Sequence, residues 1–454
     1  MSEPKPATGR REVSVSSVRT WENWAGNQRA EVVTEVSVSS AEQLSEAVAR
    51  SAAAGTRIRP IGTGHSFTGI GRPEQLQLRM DAYSGIVDLQ RETGLVRVRA
   101  GTSLHQLNGD LAAEGLALTN LGDIDVQTIA GAVSTGTHGT GLHFGGIATQ
   151  IRGLELVQPD GSTLNCTPTE NTDVFTHARV GLGALGVIST VTLQAEPLFA
   201  LRAQEGPMRL AEVFEQLDEL VEGTDHFEFY WFPHTDRTLT KRNTRVPVTD
   251  GLRPLSTRRR WWDDEFMANT IFGALIATGR RLPATVRSFN GIAARALGAR
   301  DFTDLSYRVF ASPRRVRFVE MEYAVPREAL EQVLTELDVT IERNGWRIAF
   351  PVEVRVAAAD DIPLSTAYQR ESAYIAIHLP VGVPHDQYFQ AMEGIAAAVG
   401  GRPHWGKMHY LDAAALRLRY PRFDEFVALR NRLDPAGLFG NRYLDRVLGA
   451  APSG

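Results

Sequence analysis

The sequence predicts a two-part α+β protein, and three observations carry that reading. Residues 13–196 mix short amphipathic helices with β-pairs, and residues 197–400 repeat the mixture with a second set of helices and strands. Residues 401–454 are too dense in aromatic and polar side chains for a free tail, so they are expected to return to a functional site. A chain of 454 residues is long enough for two or three domains with substantial cores.

The elements follow in order. Residues 1–12 are polar and expected to be frayed. "AEQLSEAVARSAAAG", residues 41–55, places apolar side chains at helical spacing and ends in a glycine suited to a helix terminus. "RIRPI" reads as a short extended stretch. "GLVRVRAGTSL" alternates Val96 and Val98 with Arg97 and Arg99, the period of a half-buried strand. "HQLNGDLAAEGL" is a helix ending near Gly115, and "IRGLELVQPDGSTLNC" is a hairpin turning at Pro-Asp-Gly. "GVISTVTLQAEP" closes the first part as a strand. In the second part "RLAEVFEQLDELVEG" reads as a helix, and "HFEFYWF", "VRFVEMEYAV" and "FPVEVRV" read as strands.

Composition narrows the function classes. A net charge of -5 argues against a broad grip on nucleic acid or acidic membranes. The one strongly basic run, "TRRRWW" at 257–262, has no second basic stretch behind it and reads as a solvated helix start or loop. Cys166 is the sole cysteine, which excludes an intrachain disulfide and a cysteine-based metal cluster. "TIFGALIATG", 270–279, is too short to span a bilayer. A cytoplasmic location is expected, with no nucleic acid and no membrane span. The sequence sets no oligomeric state.

Two glycine-rich stretches carry the chemistry. "RPIGTGHSFTGI", 59–70, sets His65 among Gly62, Gly64, Gly69, Thr63, Ser66 and Thr68. Alone it also reads as a tight turn. "AGAVSTGTHGTG", 130–141, packs four glycines, four hydroxyl residues and His138 into twelve positions, a composition that predicts a loop. Backbone amides with Ser134, Thr135, Thr137 and Thr140 suit the oxygens of a diphosphate, as in anion-binding nests. No P-loop lysine follows, which favours a retained dinucleotide over a hydrolysed triphosphate. "GLGALG", 181–186, matches the pattern GxGxxG but precedes a strand instead of following one, so it is rejected as a nicotinamide site.

"FPVEVRV" puts Glu353 and Arg355 on one strand face and the valines on the other. "HWGKMH", 404–409, gathers His404, Lys407 and His409 with no convincing metal spacing.

These residues resemble the FAD-linked oxidases of the vanillyl-alcohol-oxidase superfamily, and within it the sugar-lactone and polyol oxidase branch of gulonolactone, arabinonolactone and alditol oxidases. The likeness runs through "NWAGNQ", "GTGHSFT", "NLGDIDVQTIAG", "STGTHGTG", "GLGALGVIS", "VEVRV", "HWGKMH" and "RNRLDPAGLFGNRYL". It spans nearly the whole chain, with few signatures between 200 and 345. It implies a two-part FAD-binding domain with a second α+β cap domain over the substrate. It places FAD against Gly62, Thr63, Gly64, His65, Ser66, Asp123, Thr128, Gly131, Thr135, Gly136, Thr137, His138, Ile188 and His404. It also implies a covalent bond from His65 to the flavin 8α-methyl.

By the same resemblance Glu353, Arg355, Lys407 and His378 meet a small polyhydroxylated substrate. A substrate C–H gives hydride to flavin N5, and His378, Glu353 or Lys407 assists loss of the hydroxyl proton. Gly122 leaves the oxygen path open, which favours oxygen as acceptor with hydrogen peroxide as product. The sequence departs from the polyol oxidases at Asp123, where they carry serine, and at His378, which aligns with a threonine. Both lean toward an aldonolactone or related sugar derivative. Alditol, polyol or nucleoside alcohol oxidation, a dehydrogenase with another acceptor, and a non-catalytic flavin-binding protein stand as alternatives.

Overall fold

The computed structural model describes residues 14–296, 298–312 and 315–452. The stretch expected to be frayed, 1–12, lies outside the described residues.

The first part begins with a four-stranded sheet. Strands Ser14–Glu22 and Arg29–Ser37 pair antiparallel, and Leu76–Arg79 lies parallel to the second of them and to Ile58–Ile61. The helix Ala41–Ala53 starts where Ser40 accepts a hydrogen bond from the Gln43 amide, and Leu44, Ala47, Val48 and Ser51 form its buried stripe. Gly55, at φ 61°, terminates it. The chain then crosses Ile58–Ile61 and runs straight into the first glycine loop.

A five-stranded antiparallel sheet follows, in the order Ile86–Gln90, Leu95–Arg99, Val187–Gln194, Ile151–Val157, Thr163–Cys166. Val96 and Val98 are buried and Arg97 is exposed, as the alternation predicts. One apolar core joins both sheets to the end of the chain: Trp405, Tyr420, Phe423, Phe426 and Phe439 pack with Leu44, Val98 and Leu154.

The second part is an eight-stranded antiparallel sheet. Its order is Arg300–Leu305, Phe199–Arg209, Arg237–Pro247, His226–Trp231, Val352–Ala357, Ser372–Pro380, Phe318–Pro326, Arg402–Pro403. Alternation gives the central strands two different faces. Phe229, Val354, Ile375 and Met321 bury against the helices Leu330–Arg343 and Asp386–Ala398. Glu228, Glu353, Arg355, His378, Glu320 and Glu322 occupy the opposite face, and all six are buried as well. A charged face removed from water needs partners, and this one becomes the wall of the site.

Three local expectations change. "RLAEVFEQLDELVEG" forms two short helices, Leu210–Glu215 and Leu217–Glu222, interrupted at Gln216. The second glycine stretch is not all loop. Ile129–Ser134 is helical, because Thr128 caps it by accepting from the Gly131 amide. Thr140, expected among the diphosphate donors, gives its hydroxyl to the Phe227 carbonyl instead. Among the described residues no helix is long and apolar enough to cross a membrane.

Candidate active site

Two adjoining clefts share lining residues, the first within the first part and the second between that part and the eight-stranded sheet. The first is an open cleft walled by the two glycine-rich stretches and "GLGALG". Gly62, Thr63, Gly64, His65, Ser66, Thr128, Gly131, Thr135 and Ile188 all line it, as expected, and Gly136 does not. Gly136 instead turns the chain at φ 76° as it leaves the short helix. Gly64 adopts φ 73°, and a Cβ at Gly62 would meet Thr128 Oγ1 at 2.5 Å, so this loop needs glycine to approach the capped turn.

Arg59 holds the cleft together. Its buried guanidinium donates to the carbonyls of Ile70, Leu182, Gly183 and Phe439, tying the first glycine loop to "GLGALG" and to the C-terminal segment. Burial pushes its pKa down to about 10, still charged at neutral pH. "GLGALG" therefore lines the cleft through Leu182, Gly183 and Gly186, although its sequence context is reversed from a nicotinamide fingerprint.

His65, Ser66, Gln127 and Thr135 line both clefts and mark their junction. The His65 ring stacks on Trp24 with centroids 5.2 Å apart. Burial, with the nearby Lys407 charge, pushes its pKa down to about 4, so the imidazole is neutral and keeps a nucleophilic nitrogen. Gln127 gives its amide N–H to Thr137 Oγ1 while its Oε1 is buried with no partner. The backbone N–H groups of Thr63, Gly64, His65 and Ser66 donate to no protein acceptor among the described residues. Free amides and hydroxyls suit a diphosphate, and an orphaned buried acceptor at the junction suits a polar ring bearing an N–H. The residues present fit FAD.

The second cleft, about 820 Å³, is walled by the charged sheet face. Asp123, Thr137, His138, Glu353, Arg355, His378, His404 and Lys407 line it with Gly122, Glu320 and Glu322. Arg355 is its hub. Its guanidinium contacts Glu353, lies 3.0 Å from Glu228 Oε2 and 3.6 Å from Asp123 Oδ2. Burial works against its charge, but Glu353, Asp123 and Glu228 outweigh it and raise the pKa. Tyr230 donates to Glu353 Oε1 at 3.0 Å, and Lys241 lies 2.9 Å from Glu228 Oε1. Strand register explains the cluster, because Glu228 pairs with Arg355 and Tyr230 with Glu353.

Across the same face Glu320 sits between Lys407 and His378, contacting the ammonium and lying 3.5 Å from His378 Nε2. Burial alone would raise the Glu320 carboxyl, yet Lys407 and His378 hold it below its ordinary value. His378 Nδ1 is buried and has no partner.

His138 has both ring nitrogens in front of acceptors, the Gly139 carbonyl at 2.9 Å and Glu322 Oε1 at 3.1 Å. The ring is buried against Glu322 and stacks on Tyr374 at 3.6 Å. His404, Glu322 and His138 lie close enough to share an ion. However, the Gly406 amide donates to His404 Nδ1, and both His138 nitrogens already face acceptors.

Of the cofactor and substrate residues that the resemblance implies, all but Gly136 line one cleft or both, whereas Gly69, Thr140 and His409, singled out from composition, line neither. Glu228, Tyr230, Glu320, Glu322, Gln127 and Arg59 were missed. A usable signal existed for two of them: "VEMEYA" alternates glutamates with apolar residues in a strand too apolar to lie open to water.

The profile of the D-arabinono-1,4-lactone oxidase family matches residues 191–447, and that of an FAD-binding domain matches residues 34–167. An L-gulono-1,4-lactone dehydrogenase of Mycobacterium tuberculosis is 42% identical over 94% of this chain and 99% of its own. The L-gulonolactone oxidase of Bos taurus is 35% identical over 94% and 98%, and an alditol oxidase of a Streptomyces species is 30% identical over the same shares. In fold the chain is similar to cholesterol oxidase from B. sterolicum, with a TM-score of 0.81 at 17% identity, covering 99% of this chain and 100% of that one.

Proposed function

The chain belongs to the D-arabinono-1,4-lactone oxidase family, and from that premise we propose that it oxidises a hydroxyl group of an aldonolactone in the charged cleft. It is an FAD-dependent oxidoreductase acting on sugar derivatives, which sets aside the non-catalytic reading. In this reading residues 13–196 and 401–454 hold the dinucleotide, and 197–400 form the substrate wall. FAD bound there supplies a two-electron oxidant that takes the substrate hydride at N5.

The observation that carries the substrate reading is the Arg355 cluster. A guanidinium fixed by three carboxylates presents donors and acceptors together, the chemistry that recognises a ring of hydroxyls and a lactone carbonyl. Asp123 adds a carboxylate to that cluster, which supports a lactone over a simple polyol. His378 Nδ1, an unpartnered acceptor in the cleft, takes the hydroxyl proton, and Glu320 balances the imidazolium that results. Lys407 supplies positive charge where negative charge gathers on reduction. The neutral His65, held by Trp24 at the junction, is the attachment point for a covalent flavin.

Oxygen is the final acceptor in this reading: the substrate loses two electrons and two protons, and oxygen takes them to become hydrogen peroxide. The 42% identical dehydrogenase favours a second reading with a different acceptor. A cytoplasmic location belongs to the same proposal, supported by a single, buried cysteine.

Anaerobic titration of the purified protein with L-gulono- and D-arabinono-1,4-lactone, alditols and nucleosides tests it. Lactones should bleach the flavin faster than alditols or nucleosides at equal concentration. Bleaching by alditols alone overturns the lactone assignment. Acid precipitation should leave flavin with the wild-type pellet and release it from His65→Ala.

A further inference from the structure

Residues 257–296 are a helical excursion between the strands Arg237–Pro247 and Arg300–Leu305, and none of them lines either cleft. The chain is helical through 257–281 and again through Val286–Ala296. Its inner side is anchored: Ile276, Val286 and Ala294 are buried, and Asn290 donates to the carbonyls of Pro233 and Ile348. Its outer side is unusual in two ways at once.

First, it is apolar. Trp261, Trp262, Leu282 and Ile292 are 56%, 49%, 58% and 61% exposed, four of the nine large exposed hydrophobic residues among those described, in under a tenth of the chain. Phe266 lies against both tryptophans, with ring centroids at 5.8 and 4.8 Å, so the aromatics form one patch. Second, it is basic. Seven arginines stand against three acids between 257 and 296, a local charge of +4 in a chain of -5. All seven arginines are exposed, and Arg281 and Arg295 form no ion pair among the described residues.

Exposed indole rings beside arginines match the water–lipid boundary, where the ring buries its apolar body and keeps its N–H wet. A basic amphipathic helix of this kind lies in the plane of an anionic bilayer surface without spanning it. Single-stranded nucleic acid also stacks on tryptophan. The exposed aliphatic Leu282 and Ile292 of the same excursion, and an otherwise acidic protein body, favour lipid. We propose that residues 257–296 are an interfacial anchor that lays this enzyme on an anionic lipid surface.

The test uses the flavin-loaded enzyme and vesicles of phosphatidylcholine alone or with roughly one-third phosphatidylglycerol. The enzyme should sediment with the anionic vesicles about tenfold more than with the neutral ones, and about 0.5 M salt should release it. Tryptophan emission should shift to the blue on binding. Trp261→Ser/Trp262→Ser and, separately, Arg280→Gln/Arg281→Gln should each lower anionic-vesicle binding at least about fivefold. Flavin content and lactone-driven flavin reduction should be unchanged in both. Three outcomes overturn the proposal: no sedimentation with anionic vesicles, sedimentation that neither double variant weakens, or a patch that serves something else. The last would show as a dimer that the tryptophan variant splits without loss of vesicle binding, or as a single-stranded oligonucleotide bound where vesicles are not.

Discussion

Glu320 stands directly across from His378 on the adjacent strand, its Oε1 3.5 Å from His378 Nε2. The carboxylate faces Nε2, and Nδ1 is buried with no protein partner. In the proposed reading this ring is the general base and Glu320 stabilises its charged form. His378→Asn is expected to slow substrate-driven flavin reduction by roughly 10²–10⁴-fold with FAD content unchanged. Glu320→Gln, which keeps the side-chain shape but removes the counter-charge, should slow reduction as well. Stopped-flow reduction reads both effects. Wild-type reduction in Glu320→Gln would make Glu320 a partner of Lys407 only.

Arg355 is buried among Glu353, Glu228 and Asp123, so its removal strands like charges out of water. Arg355→Ala is expected to cost about 3–5 kcal/mol of stability, the loss typical of breaking a buried ion pair. Glu353→Gln keeps a hydrogen-bonding oxygen for Tyr230 and should be milder in stability. It should still slow flavin reduction at least about tenfold through weaker hold on the substrate. Thermal melts and anaerobic reduction of the two variants check the pair. Wild-type reduction in Glu353→Gln would return Glu353 to a structural role.

The fold class and nearly all of the cofactor loop were legible because their signals are local. Glycine where positive φ is needed, a cap before a helix and alternation along a strand each act within a few residues. Gly62 and His65 were readable in one short window. The acidic wall beyond Glu353 was not, because Glu228 and Glu320 are separated from it by long stretches of chain and join it only through strand register. Arg59 was missed for a related reason. Inside "RIRPI" it reads only as part of a short extended stretch, and its four carbonyl partners come from three segments far apart in sequence. Thr140 erred the other way, since composition cannot tell a hydroxyl aimed at a ligand from one bonded to a neighbouring strand.

Acid sensitivity follows from the same wall. Burial would raise the Glu228 carboxyl, but Lys241 and Arg355 outweigh it and hold it at about 2, against 4.5 as its ordinary value. A depressed carboxyl stabilises the fold above its unfolded pKa, and that contribution disappears as pH falls from about 4.5 to about 2. The contribution is on the order of a few kcal/mol. Lys241→Met should therefore shift acid unfolding to higher pH while changing alkaline stability little. Circular dichroism and flavin release against pH measure it. A coincident acid midpoint in wild type and variant would show that Glu228 does not set the limit.

The proposed acceptor is tested at Gly122, which lines the second cleft together with the charged residues of the sheet. A Cβ there would lie 3.2 Å from the His138 carbonyl oxygen and 3.3 Å from Thr137 Cγ2. Those contacts are tight but need only a few tenths of an ångström of relaxation, so Gly122→Ala should fold and place a methyl group in the cleft. If small oxidants reach the reduced site past this position, the methyl group should slow reoxidation by oxygen without altering reduction by lactone. In the oxidase reading Lys407, whose charge is secured by Glu320 and Glu322 against the cost of burial, stabilises the negative charge that develops on oxygen. The measurement is to reduce the enzyme with lactone, mix it with oxygenated buffer and follow flavin absorbance and peroxide together. Prompt wild-type reoxidation that slows at least about tenfold in Gly122→Ala supports an oxidase gated at this glycine, a barrier change of about 1.4 kcal/mol. A wild-type flavin that stays reduced in oxygen and reoxidises with an artificial dye makes the protein a dehydrogenase, because an open glycine and a nearby cation would then be insufficient for oxygen reactivity.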